Sequence, residues 1–138
     1  MVETKLPHKP TNLRPYECDL VINGQRLTKL EISPYYKKHN REYLEAVKKR
    51  GIKLSEQELA EKLITDDLIR EVLVPQLHTK EVKLEGHYYH WTYYSYRTFK
   101  ETETKIKAYK LVWCLSDNEP HILGLMDCYR QSKYDKKD

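Results

Sequence analysis

The side chains in this 138-residue chain best suited to proton and phosphate chemistry are histidine, tyrosine and arginine, and they are unevenly spread. Residues 87–97 read His87-Tyr88-Tyr89-His90-Trp91-Thr92-Tyr93-Tyr94-Ser95-Tyr96-Arg97. Upstream, His39 follows Lys37 and Lys38; downstream, Tyr129 and Arg130 close an apolar run. Cleaving RNA without a metal needs a base for the 2′-hydroxyl proton, an acid for the leaving oxygen and fixed positive charge for the transition state. His39 or His90 suits the acid and base roles. Arg97 and Arg130 suit the charge, because a planar guanidinium contacts two phosphate oxygens at once, and Tyr129 adjoins Arg130. Lys37, Lys38, His87, Tyr88, Tyr94 and Tyr96 are candidates for holding the strand, the rings by stacking on bases at roughly 1–3 kcal/mol each. A plainer reading stands beside this one: Tyr and Trp are strong strand formers, and single histidines or strand-end arginines are commonly surface groups.

Other chemistries lack their residues. His87 and His90, three apart on a strand, would point to opposite faces and could not share a metal ion. There is no His-Glu-x-x-His, no Cys-x-x-Cys and no acidic ladder, so no metal site is expected. The four glycines form neither a phosphate loop nor a dinucleotide turn, and no serine or cysteine lies in a nucleophile motif, so no cofactor is expected. A net charge of +4 permits a polyanionic partner without demanding one. Twelve tyrosines against one phenylalanine imply that many rings keep a hydroxyl within reach of water, backbone or ligand. Cys18, Cys114 and Cys128 are odd in number and widely spaced, which favours a reducing cytoplasm over a disulfide framework. No run approaches the roughly 20 apolar residues of a membrane span, so no membrane partner is expected.

These residues need elements to position them. Pro7, Pro10 and Pro15 suggest an extended arm over 1–15, followed by a single domain over 16–131 and a charged tail over 132–138. Two β-prone runs, 18–22 and 25–32, flank Asn23-Gly24 and predict a hairpin. Ser33-Pro34 opens a helix that Gly51 ends, Ser55 with Glu58 forms a capping box, and Thr65 caps a stripe of Leu68, Ile69, Val72 and Leu73 that Pro75 closes. Strands follow at 81–84, 87–99, 105–115 and 121–130, with short connections. The expected fold is α+β: an N-terminal β-hairpin, two or three helices, then a four-stranded antiparallel sheet.

The run Tyr109-Lys110-Leu111-Val112-Trp113-Cys114-Leu115, followed by residues 121–130 from His121 to Arg130, resembles small bacterial toxin-like domains related to the RelE/ParE and colicin-type ribonuclease fold. Ile32-Ser33-Pro34-Tyr35-Tyr36-Lys37-Lys38-His39 and Thr65-Asp66-Asp67-Leu68-Ile69 fit the same pattern. The resemblance implies helices on a twisted antiparallel sheet, cleavage of tRNA or ribosome-associated mRNA, and an antitoxin or immunity protein covering the sheet. Arg97, Tyr129 and Arg130 match the family's basic and aromatic sheet residues in type and location. The chain therefore reads as a metal-independent endoribonuclease with RNA as its partner, or as a non-catalytic RNA-binding or protein-interaction module using the tyrosine-rich sheet.

Overall fold

The computed structural model describes residues 13–137, so most of the expected arm over 1–15 lies outside the described residues. The strands are β1 (Arg14–Ile22), β2 (Gln25–Ile32), β3 (Leu84–Tyr88), β4 (Trp91–Glu101), β5 (Lys105–Ser116), β6 (Glu119–Arg130) and β7 (Lys136–Lys137); the α-helices are α1 (Lys37–Lys49) and α2 (Glu56–Lys62). Asn23 and Gly24 both take positive φ, 52° and 76°, the backbone of a two-residue hairpin turn between β1 and β2.

The hairpin is not a separate unit. β2 runs parallel to β6, in register from Lys29 opposite Ile122 to Ile32 opposite Leu125. All strands thereby join one seven-stranded mixed sheet in the order β1-β2-β6-β5-β4-β3, with β7 paired to β5. This overturns the expected hairpin followed by a four-stranded antiparallel sheet. The physical reason is burial: Leu27, Leu30 and Ile32 of β2 and Leu123 and Leu125 of β6 are all fully enclosed, and joining the strands edge to edge builds one core.

Two further expectations change. The long strand over 87–99 is broken by a turn at Tyr89-His90, where Tyr89 has φ 56°, and Tyr88 pairs back onto Trp91. The segment expected as a charged tail docks instead: Ser132–Tyr134 form a 3₁₀ turn, and Lys136 and Lys137 pair with Ile106 and Lys105.

Local helix chemistry follows the sequence. Ser33 Oγ accepts from Tyr35 N–H with Pro34 at the first helical position, and Ser55 and Glu58 complete their capping box. After Thr65, a π-helical turn over Leu68–Leu73 passes into a 3₁₀ turn over Val74–Leu77. Its Leu68, Ile69, Leu73, Val74 and Leu77 pack on the sheet face formed by Tyr109, Leu111, Trp113, Leu123, Leu125 and Cys128, which is the main core.

Candidate functional site

A bulge in β6 decides which residues face away from that core. Val112 pairs with Asp127 while Trp113 pairs with Leu125, leaving Met126 as the extra residue. Alternation therefore shifts by one: Leu123 and Leu125 before the bulge and Cys128 after it enter the core, and Asp127 and Tyr129 turn to the opposite face. There they join Lys110 and Val112 of β5 and Trp91, Tyr93, Ser95 and Arg97 of β4, which share the face by cross-strand register. A small cluster of Tyr93, Cys114 and Met126, with Tyr88, Trp91 and Val112 against it, forms the floor. Gly124 completes it, since a Cβ there would lie 3.1 Å from Cys114 Sγ. Trp91, Ser95, Arg97, Lys110, Asp127 and Tyr129 remain half-exposed.

The parallel strand brings the histidine. Ser33 N–H donates to the Leu125 carbonyl at 2.9 Å, carrying the ladder up to the bulge before Pro34 turns the chain. The start of α1 is then held from its inner side: Tyr36 is buried and bonds Asp66, and the Asn40 amide makes both backbone hydrogen bonds to Ile64, at 2.8 and 2.9 Å. His39 projects from the other side, its Nε2 lying 2.8 and 3.1 Å from the two Asp127 oxygens. Its ring sits between Tyr35, edge-on at 6.0 Å, and Tyr129 at 5.7 Å. Asp127 Oδ1 also accepts the Cys128 N–H at 2.8 Å, which fixes the carboxylate.

This geometry selects a tautomer. In the neutral imidazole an ionised Asp127 accepts the Nε2 proton and leaves the lone pair on Nδ1, 3.8 Å from Glu42. Burial pushes the Asp127 carboxyl above its usual value, and the neighbouring His39 pulls it back. Burial likewise raises the Tyr129 phenol, reinforced by Asp127 and Glu85.

From Tyr129 a row of side chains crosses the sheet, since Lys110 pairs with Tyr129 and Arg97 with Lys110. Two inter-strand steps span roughly 10 Å. Arg97 donates from Nε to Gln131 at 2.9 Å and lies 3.3 Å over the Tyr134 ring, and its terminal nitrogens have no hydrogen-bond partner among the described residues. Lys110 has no ion-pair partner among the described residues. Beside the row, Ser95 donates to Glu85 at 2.5 Å.

The structure thus gathers His39, Tyr129 and Arg97 on one face, with Lys37 and Lys38 exposed on the adjoining helical turn and Lys38 5.6 Å from the Tyr35 ring. Tyr88 shares that face and packs edge-on against Tyr89. Other sequence candidates lie elsewhere. Arg130 is on the core face, its guanidinium bound bidentately to Asp135 at 2.7 and 2.8 Å and to the Ala108 carbonyl, so it anchors the C-terminal segment. His90 sits in the β3–β4 turn beside Trp91, which itself lies roughly 13 Å along the strand from the Ser95 level. His87 pairs with Thr92 at 3.0 Å, Tyr94 stacks on Trp113 at 5.6 Å, and Tyr96 packs against the main core. Asp127 and Lys110 are the additions. An acid inside Leu125-Met126-Asp127-Cys128 is the signal that marks Asp127; Lys110 is found only through register.

Among the described residues no group of three or more His, Cys, Asp or Glu is arranged to hold a metal ion, no helix is long and apolar enough to cross a membrane, and all three cysteines are free thiols. Comparison with known protein families, with curated proteins and with solved structures finds no match to this chain.

Proposed function

We propose that this domain binds single-stranded RNA across the face carrying His39, Lys110 and Arg97, and cleaves it without a metal. The observation that carries the reading is the His39–Asp127 pair set at the end of a row of cations on a half-exposed, aromatic sheet face. In the reaction, His39 Nδ1 takes the 2′-hydroxyl proton, the 2′-oxygen bonds to phosphorus, and the 5′-oxygen leaves with a proton from Tyr129. Arg97 and Lys110 balance the charge that builds on the phosphorane. Trp91 and Tyr35 offer ring surfaces for flanking bases. The toxin-like resemblance belongs to this proposal, with an antitoxin or immunity protein covering the same face in a reducing cytoplasm.

The test is incubation with tRNA and with translating ribosomes in EDTA, reading both cleavage and retained complex. Cleavage products support the proposal; binding without cleavage points to the second reading, an RNA-binding module, which is favoured by the presence of a single imidazole in the cluster. Arg97→Ala and Lys110→Ala should each weaken RNA binding by about 5–10-fold at fixed salt. Each should also lower the slope of log K against log salt by about one, the signature of one lost phosphate contact, in fluorescence anisotropy titrations. An unchanged slope in both variants would remove the RNA path from this face.

A further inference from the structure

Lys107, on the core face of β5 at the opposite side of the sheet from His39, is 6% exposed, yet no carboxylate reaches it among the described residues. Among the described residues its ammonium donates only to the Glu61 carbonyl at the end of α2, at 3.3 Å. A lysine closing a helix C-terminus would account for that single contact. It does not account for the surroundings. The cross-strand partner of Lys107 is Lys100, and directly opposed like charges destabilise a sheet. Lys105 lies two residues earlier on the same face of β5, Lys62 follows Glu61, and Arg130 hydrogen-bonds the adjacent Ala108 carbonyl. Among the described residues only two of these five cations have a carboxylate, and it is the same one: Asp135 takes both Arg130 nitrogens and holds Lys105 at 3.3 Å. Burial, and then the neighbouring Lys62, Arg130, Lys100 and Lys105, draw the Lys107 pKa below the ordinary lysine value, the electrostatic imprint of this crowding.

We propose that this end of the sheet is an oxyanion-binding site that takes a phosphate group among Lys62, Lys100, Lys105 and Lys107, with Arg130 held in place by Asp135. A bound phosphate would satisfy the ammonium that protein groups leave with one carbonyl, and would offset the repulsion across the Lys100–Lys107 pair. The site is independent of the RNA-cleaving reading, because it lies on the other face and uses none of those residues.

Thermal unfolding in orthophosphate against chloride at matched ionic strength tests it. The intact protein should gain roughly 3–6 °C when phosphate reaches about tenfold over its dissociation constant, and the gain should saturate at low millimolar concentration. General exclusion of phosphate from protein surfaces does not saturate there. Lys107→Met keeps the aliphatic stem, removes the charge, and should abolish the gain; Lys100→Met, at a half-exposed position, should reduce it even if the first variant folds poorly. A phosphate gain that is absent in the intact protein, or undiminished in Lys100→Met, overturns the proposal and leaves Lys107 as a helix-end contact.

Discussion

Replacing His39 with alanine should lower the single-turnover rate of RNA cleavage by about 10³-fold, within the range that one general base supplies, while RNA binding changes by no more than about twofold. The split follows from geometry. His39 makes its strong contact through Nε2 to Asp127 and is 30% exposed on its side chain, so removing it empties the proposed proton-transfer position without removing a cation of the Lys110–Arg97 row. Asp127→Asn keeps the shape and a hydrogen-bonding group, yet loses the charge that favours Nε2–H over Nδ1–H. Its expected cost is about 10–100-fold in rate, as for other groups that act by orienting an imidazole. His90→Ala should stay within about twofold of the parent, because its ring lies beside Trp91 in the β3–β4 turn. Labelled RNA in EDTA with enzyme in excess separates these outcomes. A parent rate retained by His39→Ala, or a loss confined to His90→Ala, would reject the assignment and move the site to the turn.

The sequence named candidate residues by type and misassigned part of their geometry. Elements signalled by short-range chemistry appeared where expected: the Asn23-Gly24 turn, the Ser33-Pro34 helix entry, the Ser55–Glu58 box, and the burial of Tyr109, Leu111 and Trp113. Two features depend on partners distant in sequence and left no local mark. The parallel pairing of β2 with β6 joins residues about ninety positions apart, and no turn chemistry announces a parallel neighbour. The bulge at Met126 changes the face of every later residue in β6. Strict alternation would put Asp127 and Tyr129 beside Leu123 and Leu125, in the core; the extra residue turns them out and turns Arg130 in. The Tyr89-His90 turn acts similarly on the aromatic run. A continuous strand would separate Tyr88 from Trp91 by alternation over three residues, whereas the hairpin makes them cross-strand partners on one face. Candidate residues were thus readable by type, but their grouping was set by one bulge, one turn and one long-range strand pair.

Asp66→Asn should destabilise the domain by about 3 kcal/mol and lower its melting temperature by roughly 10 °C, the expected scale for removing the carboxylate of a partly buried, multiply hydrogen-bonded ion pair. The Asp66 carboxylate, 15% exposed, receives the Arg14 guanidinium together with the hydroxyls of Tyr16 and Tyr36. It therefore ties the start of β1 and the turn before α1 to the turn that opens the Leu68–Leu73 segment. Asparagine offers one acceptor oxygen in place of two, carries no charge, and leaves Arg14 without its partner. Tyr16→Phe and Tyr36→Phe each remove a single hydrogen bond and should cost about 1 kcal/mol, less than the carboxylate itself. The pH dependence gives the prediction a second axis. Burial alone would raise the Asp66 pKa, but the hydrogen bonds from Arg14, Tyr16 and Tyr36 outweigh it and hold the carboxyl well below the usual carboxylate range. A carboxyl depressed on folding stabilises fully above its unfolded pKa near 3.8 and loses that contribution as pH falls toward the folded value. The gap in unfolding free energy between the parent and Asp66→Asn should accordingly be flat from about pH 5 to 8 and narrow below about pH 4. Denaturant titrations at a series of pH values measure it, and a gap that widened on acidification would exclude an ionised Asp66 as the anchor. The same anchor holds Tyr36 three residues ahead of His39, so whatever loosens Asp66 also frees the helical turn that sets the imidazole against Asp127.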